Sequence, residues 1–125
     1  MYGIRIFGSY SVSCTYIYAS AMKGSACDCT YLRAIAFDLL TEEDKKQAVE
    51  DLNALVVKND YHLNTGFLST PFLCQVLAEN GHTDTAYRLL LQDTAPSWLY
   101  EVKKGANTVW ETWDGINEKG EVHAS

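Results

Sequence analysis

An acid flanked by two tryptophans is the part of the sequence best suited to chemistry. Glu111 lies between Trp110 and Trp113 in the segment 105–115, G-A-N-T-V-W-E-T-W-D-G. Large apolar rings partly remove water from a carboxylate, which raises its pKa, and an acid with a pKa near working pH suits general acid–base catalysis. A sugar ring could also pack on the two indoles. The alternative is a solvated acid near a helix start, where the helix dipole favours acids.

Composition limits the classes of protein to which the chain can belong. Its 125 residues suit one domain, and 47% apolar residues with 21% charged residues predict a packed core. The net charge of −6 argues against nucleic acid as a partner, because binding phosphates needs a basic surface. The sequence has no run of 18 apolar residues, so we expect no transmembrane helix.

The residues that most often bind metals are scattered. They are Cys14, Cys27, Cys29, Cys74, His62, His82 and His123. The Cys27-x-Cys29 spacing lacks the two-residue gap of zinc and redox motifs, so we expect no metal and no cofactor. The cysteines are interpreted as free thiols in a reducing compartment, which favours a cytoplasmic location over a secreted or periplasmic one.

Residues 1–26 differ from the rest of the chain and are predicted as a separate N-terminal segment. Their β-branched and aromatic residues around Gly8-Ser9 favour a short β-hairpin, with an irregular segment as the alternative. The small residues at 19–21 resemble a signal-peptide cleavage site, but the run before them is too rich in Ser and Tyr. The predicted helical domain spans 27–125.

Helical periodicity begins at Tyr31, and the sequence predicts a mainly α fold of antiparallel helical hairpins. The stripes expected to face the core are Leu32, Ile35, Ala36 and Leu39; Ala48, Leu52, Leu55 and Val56; Leu73, Val76 and Leu77; Ala86, Tyr87, Leu90 and Leu91; and Trp98, Leu99 and Val102.

Helix boundaries are predicted from capping residues and glycines. The expected starts are Thr41, Ser69 or Thr70 before Pro71, His82-Thr83-Asp84, Thr94 to Ser97, and Asn107 or Thr108 before a short turn at 110–113. The expected ends are Asn59-Asp60, Asn80-Gly81 and Gly105.

Four segments in this order resemble bacterial α-L-rhamnosidases of glycoside hydrolase family 78, in the C-terminal half of their catalytic domain. The segments are 61–73, 80–92, 96–100 and 105–115, and the likeness runs from Tyr31 to Val122. It implies part of an (α/α)6 toroid whose cleft binds a terminal rhamnose. It also implies inverting hydrolysis by two acids, whose carboxyl groups lie roughly 6.5–9.5 Å apart.

The resemblance assigns roles to particular residues. The family's general base is the Glu of its W-E-x-W motif, which falls on Glu111, and Trp110 and Trp113 would shape the pocket around it. Trp98 would serve as a sugar platform or as a core residue. The loop with His62, Thr65 and Gly66 resembles one near the family's cleft. His82 is expected to cap or pack, and Asp84 to start a helix.

The resemblance also leaves open whether the isolated chain is an enzyme. The family's general acid belongs to an earlier part of its domain, for which this sequence has no counterpart. A base without a leaving-group acid loses several orders of magnitude in rate, so we expect little or no activity from this chain alone. The alternatives are a non-catalytic helical interaction domain and a carbohydrate-binding domain. Uncovered apolar helix faces predict a homo-oligomer.

Overall fold

The computed structural model describes residues 28–122, and the predicted N-terminal hairpin and its boundary at 26/27 lie outside this range. The described chain forms five helices: α1 (Asp28–Ala36), α2 (Glu42–Lys58), α3 (Thr70–Glu79), α4 (Thr83–Leu91) and α5 (Trp98–Lys103). Extended pairing within 28–122 is limited to one antiparallel bridge between Ile116 and Val122. The mainly helical prediction is therefore confirmed.

The start of α2 follows from its capping residue. The Oγ1 of Thr41 accepts a hydrogen bond from the Asp44 backbone N–H at 3.2 Å, as expected from the sequence. Three acids occupy the first turn and Lys58 the last, which matches the helix dipole. The helix ends at its C-cap Asn59, as predicted.

Helix α1 begins earlier than the periodicity indicated. It starts at Asp28 and ends at Ala36, so Leu39 lies beyond the helix instead of on its stripe. The chain turns at Asp38, whose φ of 53° is left-handed. This conformation is tolerated by Asp better than by most side chains.

Helices α3 and α4 form a tight hairpin around Gly81. Its φ of +92° is the conformation that glycine adopts without strain, as predicted for this position. The other end of α3 differs from expectation in one detail. Ser69 precedes the helix but makes no capping bond; its hydroxyl instead accepts from the Arg33 Nε–H at 3.0 Å, which ties α3 to α1.

The predicted inward face of α4 is confirmed at Ala86 and wrong at its other three positions. Thr85, Ala86 and Leu89 are the buried residues of this helix. By contrast, Tyr87, Leu90 and Leu91 are 61%, 46% and 66% exposed. Because Leu89, Leu90 and Leu91 are consecutive, the apolar pattern fits two different faces. The polar Thr85 decides the outcome, since its hydroxyl donates to Asn53 Oδ1 of α2 at 2.6 Å.

The core lies between α1, α2, α3 and α4. Helix α1 packs against α2 and α3, α3 pairs with α4, and α5 contacts α4. The leucines and valine at the centre are almost fully buried: Leu32, Leu52, Val56, Leu63, Leu73, Leu77 and Leu89. The loop at 61–69 and the segment 93–122, which contains α5, contact this core through Leu63, Trp98 and Trp113.

Candidate functional site

Helix α5 is short, and hydrogen bonds at both ends hold it in place. The Ser97 hydroxyl accepts from the Tyr100 backbone N–H at 3.2 Å, which confirms the predicted cap. Leu63 N–H donates to the Pro96 carbonyl at 2.9 Å and joins the loop before α5 to the loop after α2. Gly105, with a φ of +87°, ends the helix as expected.

The buried face of α5 is not the one that the sequence indicated. Tyr100 and Glu101 are buried, whereas Val102 is 62% exposed and Trp98 and Leu99 are half-buried. The Tyr100 hydroxyl donates to the Ile116 carbonyl at 2.8 Å, so burial of this ring anchors the C-terminal loop.

The segment that carries Glu111 is a loop without helix. It makes a turn between Thr112 and Gly115, where Gly115 N–H donates to the Thr112 carbonyl at 3.0 Å. A Cβ at Gly115 would lie 3.3 Å from both that carbonyl oxygen and the Trp110 ring, so glycine allows the close approach. The turn thus begins at Thr112, later than a cap at Asn107 or Thr108 would place it.

Trp113 joins two loops that are distant in sequence. Its indole Nε1–H donates to the Thr65 carbonyl at 2.7 Å. Its ring packs edge-on against Trp98, with centroids 6.2 Å apart and an interplanar angle of 83°. Trp98 is half-buried and, like Trp113, packs against the hydrophobic core.

An open hollow of about 490 Å³ lies between these loops. It is lined by Leu63, Asn64, Thr65, Gly66, Ala95, Pro96, Glu111, Thr112, Trp113 and Asp114. The structure therefore brings together four of the predicted site residues: Glu111, Trp113, Thr65 and Gly66. The other three, Trp110, Trp98 and His62, are not among the residues that line it.

Glu111 is exposed, in contrast to the expectation of a carboxylate partly dried between indoles. The hollow that it lines opens to solvent, and Trp110 and Trp113 on either side of it are each half-buried. Trp113 contacts the core and Thr65, so its ring supports the wall of the hollow. The described chain thus presents an acid on an open wall.

The remaining polar residues near the hollow have structural contacts. The Thr65 hydroxyl lies 2.7 Å from the Thr70 hydroxyl, which stabilises the turn before α3. His62 Nδ1 lies 3.0 Å from the Asn59 carbonyl and Nε2 lies 2.8 Å from the Thr94 hydroxyl. His62 therefore joins the end of α2 to the loop before α5.

The residues just before α4 also make structural contacts. His82 precedes the helix without a side-chain cap, and its Nε2 lies 3.0 Å from Glu50 Oε1 of α2. Asp84 lies in the first turn of α4, as expected. We assign neither residue to the hollow, because neither lines it.

Glu101 is a buried carboxyl that the sequence analysis missed. It is 2% exposed, and its Oε2 accepts a hydrogen bond from the Trp110 backbone N–H at 3.3 Å. Its Oε1 is buried and has no hydrogen-bond partner within residues 28–122. Burial raises the pKa of Glu101, and the Trp110 N–H opposes this rise. The spacing of Ser97, Tyr100 and Glu101 marks the buried face of α5, but an acid on that face is not expected from polarity.

The described range holds neither a metal-binding cluster nor a membrane-spanning helix. Residues 28–122 contain no group of three or more His, Cys, Asp or Glu side chains placed to hold a metal ion. Cys29 and Cys74 are free thiols, and burial raises the pKa of Cys74. No helix within this range is long and apolar enough to cross a membrane.

Comparison with known families places the chain. The bacterial alpha-L-rhamnosidase 6 hairpin glycosidase domain matches residues 13–125. The chain belongs to this family of glycosidase domains, and the predicted architecture of helical hairpins is confirmed.

Individual relatives support the same assignment. An alpha-L-rhamnosidase from Formosa agariphila is 46% identical over 94 residues, which are 75% of this chain and 10% of the relative. One from Streptomyces avermitilis is 48% identical over 90 residues, 72% of this chain and 9% of the relative. The chain thus spans about a tenth of the length of these relatives.

Solved structures agree with the fold. The Streptomyces avermitilis alpha-L-rhamnosidase complexed with L-rhamnose superposes with a TM-score of 0.74 at 44% identity, over 78% of this chain and 9% of that protein. The alpha-L-rhamnosidase of Aspergillus terreus superposes with a TM-score of 0.72 at 33% identity, over 77% of this chain and 11% of that protein.

Proposed function

We propose that this chain supplies one wall of the sugar site of an inverting α-L-rhamnosidase, with Glu111 as the general base. The observation that carries the proposal is the position of Glu111. It occupies the Glu of the W-E-x-W motif and lines a hollow beside Trp113 and the 63–66 loop. The substrate class is a glycoside with a terminal α-L-rhamnose.

The chemistry assigned to Glu111 follows from inversion. Its carboxylate takes a proton from the water that attacks the anomeric carbon, while a second acid protonates the leaving oxygen from the opposite side. The exposure of Glu111 in this chain keeps its carboxylate accessible to water and substrate. The family resemblance places the second acid in an earlier part of the toroid, which these 125 residues do not match, so we expect little or no activity from them alone.

A chimera tests the role of Glu111. This chain replaces the matching segment of the Streptomyces avermitilis enzyme, and hydrolysis of p-nitrophenyl α-L-rhamnoside is followed. Glu111→Gln is expected to lower kcat by about 10²- to 10⁴-fold, the usual contribution of a general base. Glu118→Gln removes another exposed acid of the same C-terminal loop and serves as the matched control. An unchanged rate in the Glu111→Gln chimera contradicts the assignment.

Sugar binding by the isolated chain is tested separately. L-Rhamnose is titrated into the 125-residue chain and tryptophan fluorescence is recorded, because Trp113 lines the hollow. Saturable quenching supports the hollow as a rhamnose site, and its loss in Trp113→Phe locates it. Hydrolysis by the chimera without binding by the isolated chain would mean that this wall needs the rest of the toroid to hold sugar.

A further inference from the structure

Glu101 contacts the loop that carries Glu111 at two places. Its backbone carbonyl accepts hydrogen bonds from Lys104 N–H at 3.1 Å and from Ala106 N–H at 3.0 Å, which fixes the start of the loop. Its side-chain Oε2 accepts from the Trp110 N–H at 3.3 Å, which fixes the residue directly before Glu111. One residue therefore holds both ends of the stretch 104–110.

The burial of Glu101 makes this contact hard to replace. At 2% exposure its carboxyl is closed off from bulk water. The Trp110 N–H is the one hydrogen-bond donor that the described residues offer to this carboxyl. An acid is rare at such a position without a specific partner, which indicates that the side chain serves the loop.

The opposite end of the loop is held by different groups. Trp113 donates its indole N–H to the Thr65 carbonyl, and Gly115 closes the turn onto Thr112. Glu111 therefore lies between an anchor at Trp110 and an anchor at Trp113. If the first anchor is lost, the peptide plane between Val109 and Trp110 can turn about the neighbouring φ and ψ dihedrals, and the carboxylate of Glu111 changes direction.

We propose that Glu101 is a positioning residue, which orients Glu111 by hydrogen bonding to the backbone of Trp110. The inference rests on the proposed function only in taking Glu111 as the working acid. The contact itself is independent of any sugar. It predicts that the acceptor oxygen at position 101, more than its charge, is what the loop requires.

Amide hydrogen exchange of the full 125-residue chain, read by NMR, tests the contact. In Glu101→Leu the Trp110 amide is expected to exchange about five- to tenfold faster, the effect of losing one hydrogen bond. The heteronuclear NOE of residues 110–113 falls with it. In Glu101→Gln, whose side-chain carbonyl still accepts, Trp110 exchange stays within about twofold of the parent.

Controls separate this role from general destabilisation. Glu118→Leu and Glu118→Gln make the same substitutions at an exposed acid and are expected to leave Trp110 unchanged. The Leu52 amide, within the core of α2, reports global opening. The proposal is overturned if Trp110 exchange in Glu101→Leu stays at the parent rate, or if Glu101→Gln exchanges as fast as Glu101→Leu.

A second measurement covers the case in which Glu101→Leu does not fold. In a Glu111→Gln chain, which removes the neighbouring carboxyl, the Trp110 amide proton shift is followed through a pH titration. The pH midpoint of the Trp110 amide proton shift is expected to equal that of the Glu101 side-chain carboxyl carbon shift. Two different midpoints would overturn the hydrogen bond between Glu101 and Trp110.

The rhamnose titration is run in parallel on the same variants. If the parent chain does not bind rhamnose, the proposed sugar site is contradicted for the isolated chain, and the hydrogen-exchange result is unaffected. If the parent binds, weaker binding in Glu101→Leu that is restored in Glu101→Gln extends the positioning role to the ligand. Equal rhamnose binding by the parent chain, Glu101→Leu and Glu101→Gln restricts the positioning role of Glu101 to the loop and contradicts an effect on the sugar site.

Discussion

The buried carboxyl of Glu101 predicts a change of stability whose size depends on pH. The perturbation is Glu101→Gln, which keeps an acceptor for the Trp110 N–H and removes the ionisable group. Burial raises the pKa of Glu101 above its ordinary value of 4.5. The folded state therefore holds this proton more tightly than the unfolded state does.

The sign of the effect follows from linkage. Well below pH 4.5 both states carry the proton, and ionisation of Glu101 does not lower stability. As pH rises through the unfolded value towards the raised folded value, the unfolded state loses its proton first and stability falls. Above the folded value the loss is complete. Asp28, whose pKa burial also raises, contributes in the same direction but equally in both proteins.

The expected magnitude comes from the unpaired oxygen. A buried polar group without a partner costs about 1–3 kcal/mol, and more when it is charged. Once it is ionised, Glu101 leaves a charged oxygen unpaired, whereas Gln leaves a neutral amide. We expect Glu101→Gln to raise the free energy of unfolding by about 1 kcal/mol at about pH 8, and to change it little at about pH 3.5.

Urea denaturation followed by circular dichroism at the two pH values provides the measurement. Glu118→Gln is the control, because this acid is exposed and has no burial to relieve. The reasoning is refuted if Glu101→Gln destabilises the chain at the higher pH. It is equally refuted if the difference between the two proteins is the same at both values.

Three further predictions concern packing. Trp113→Phe removes the indole N–H that donates a hydrogen bond to the Thr65 carbonyl. In urea denaturation it is expected to lower the free energy of unfolding by about 1–2 kcal/mol, and an unchanged urea midpoint would contradict that hydrogen bond. Gly81→Ala places a side chain at a φ of +92° and should cost about 1–2 kcal/mol in the same assay, whereas a neutral result would mean that the hairpin relaxes. Leu90 and Leu91 are exposed, so we expect the chain to self-associate at high concentration. Light scattering should then show a lower mean mass when both leucines are replaced by Ser. A monomeric parent chain would contradict this prediction.

The sequence specified those elements whose signals are local. Thr41 caps α2 and Gly81 closes the α3–α4 hairpin, because a hydroxyl acceptor and a left-handed glycine act within a few residues of themselves. The W-E-T-W segment was found from its residue types alone. Its place beside the 63–66 loop was inferred from a family resemblance, since periodicity carries no information on which loops meet.

The errors arise where tertiary contacts decide between local alternatives. On α4 the run of three leucines fits two faces, and the Thr85 bond to Asn53 selects one of them. On α5 the buried residues are Tyr100 and Glu101, and hydropathy assigns the acid to solvent. Glu111 shows the reverse, because neighbouring indoles indicated burial while the open hollow leaves it exposed.

The bond from the Trp113 indole to the Thr65 carbonyl couples two loops 48 residues apart in sequence. Thr65 also contacts Thr70 at the start of α3, so the coupling continues into a core helix. The two sides of the hollow therefore cannot widen independently. A change of ligand size would require compensating substitutions in both loops, and randomising either loop alone should yield few working variants.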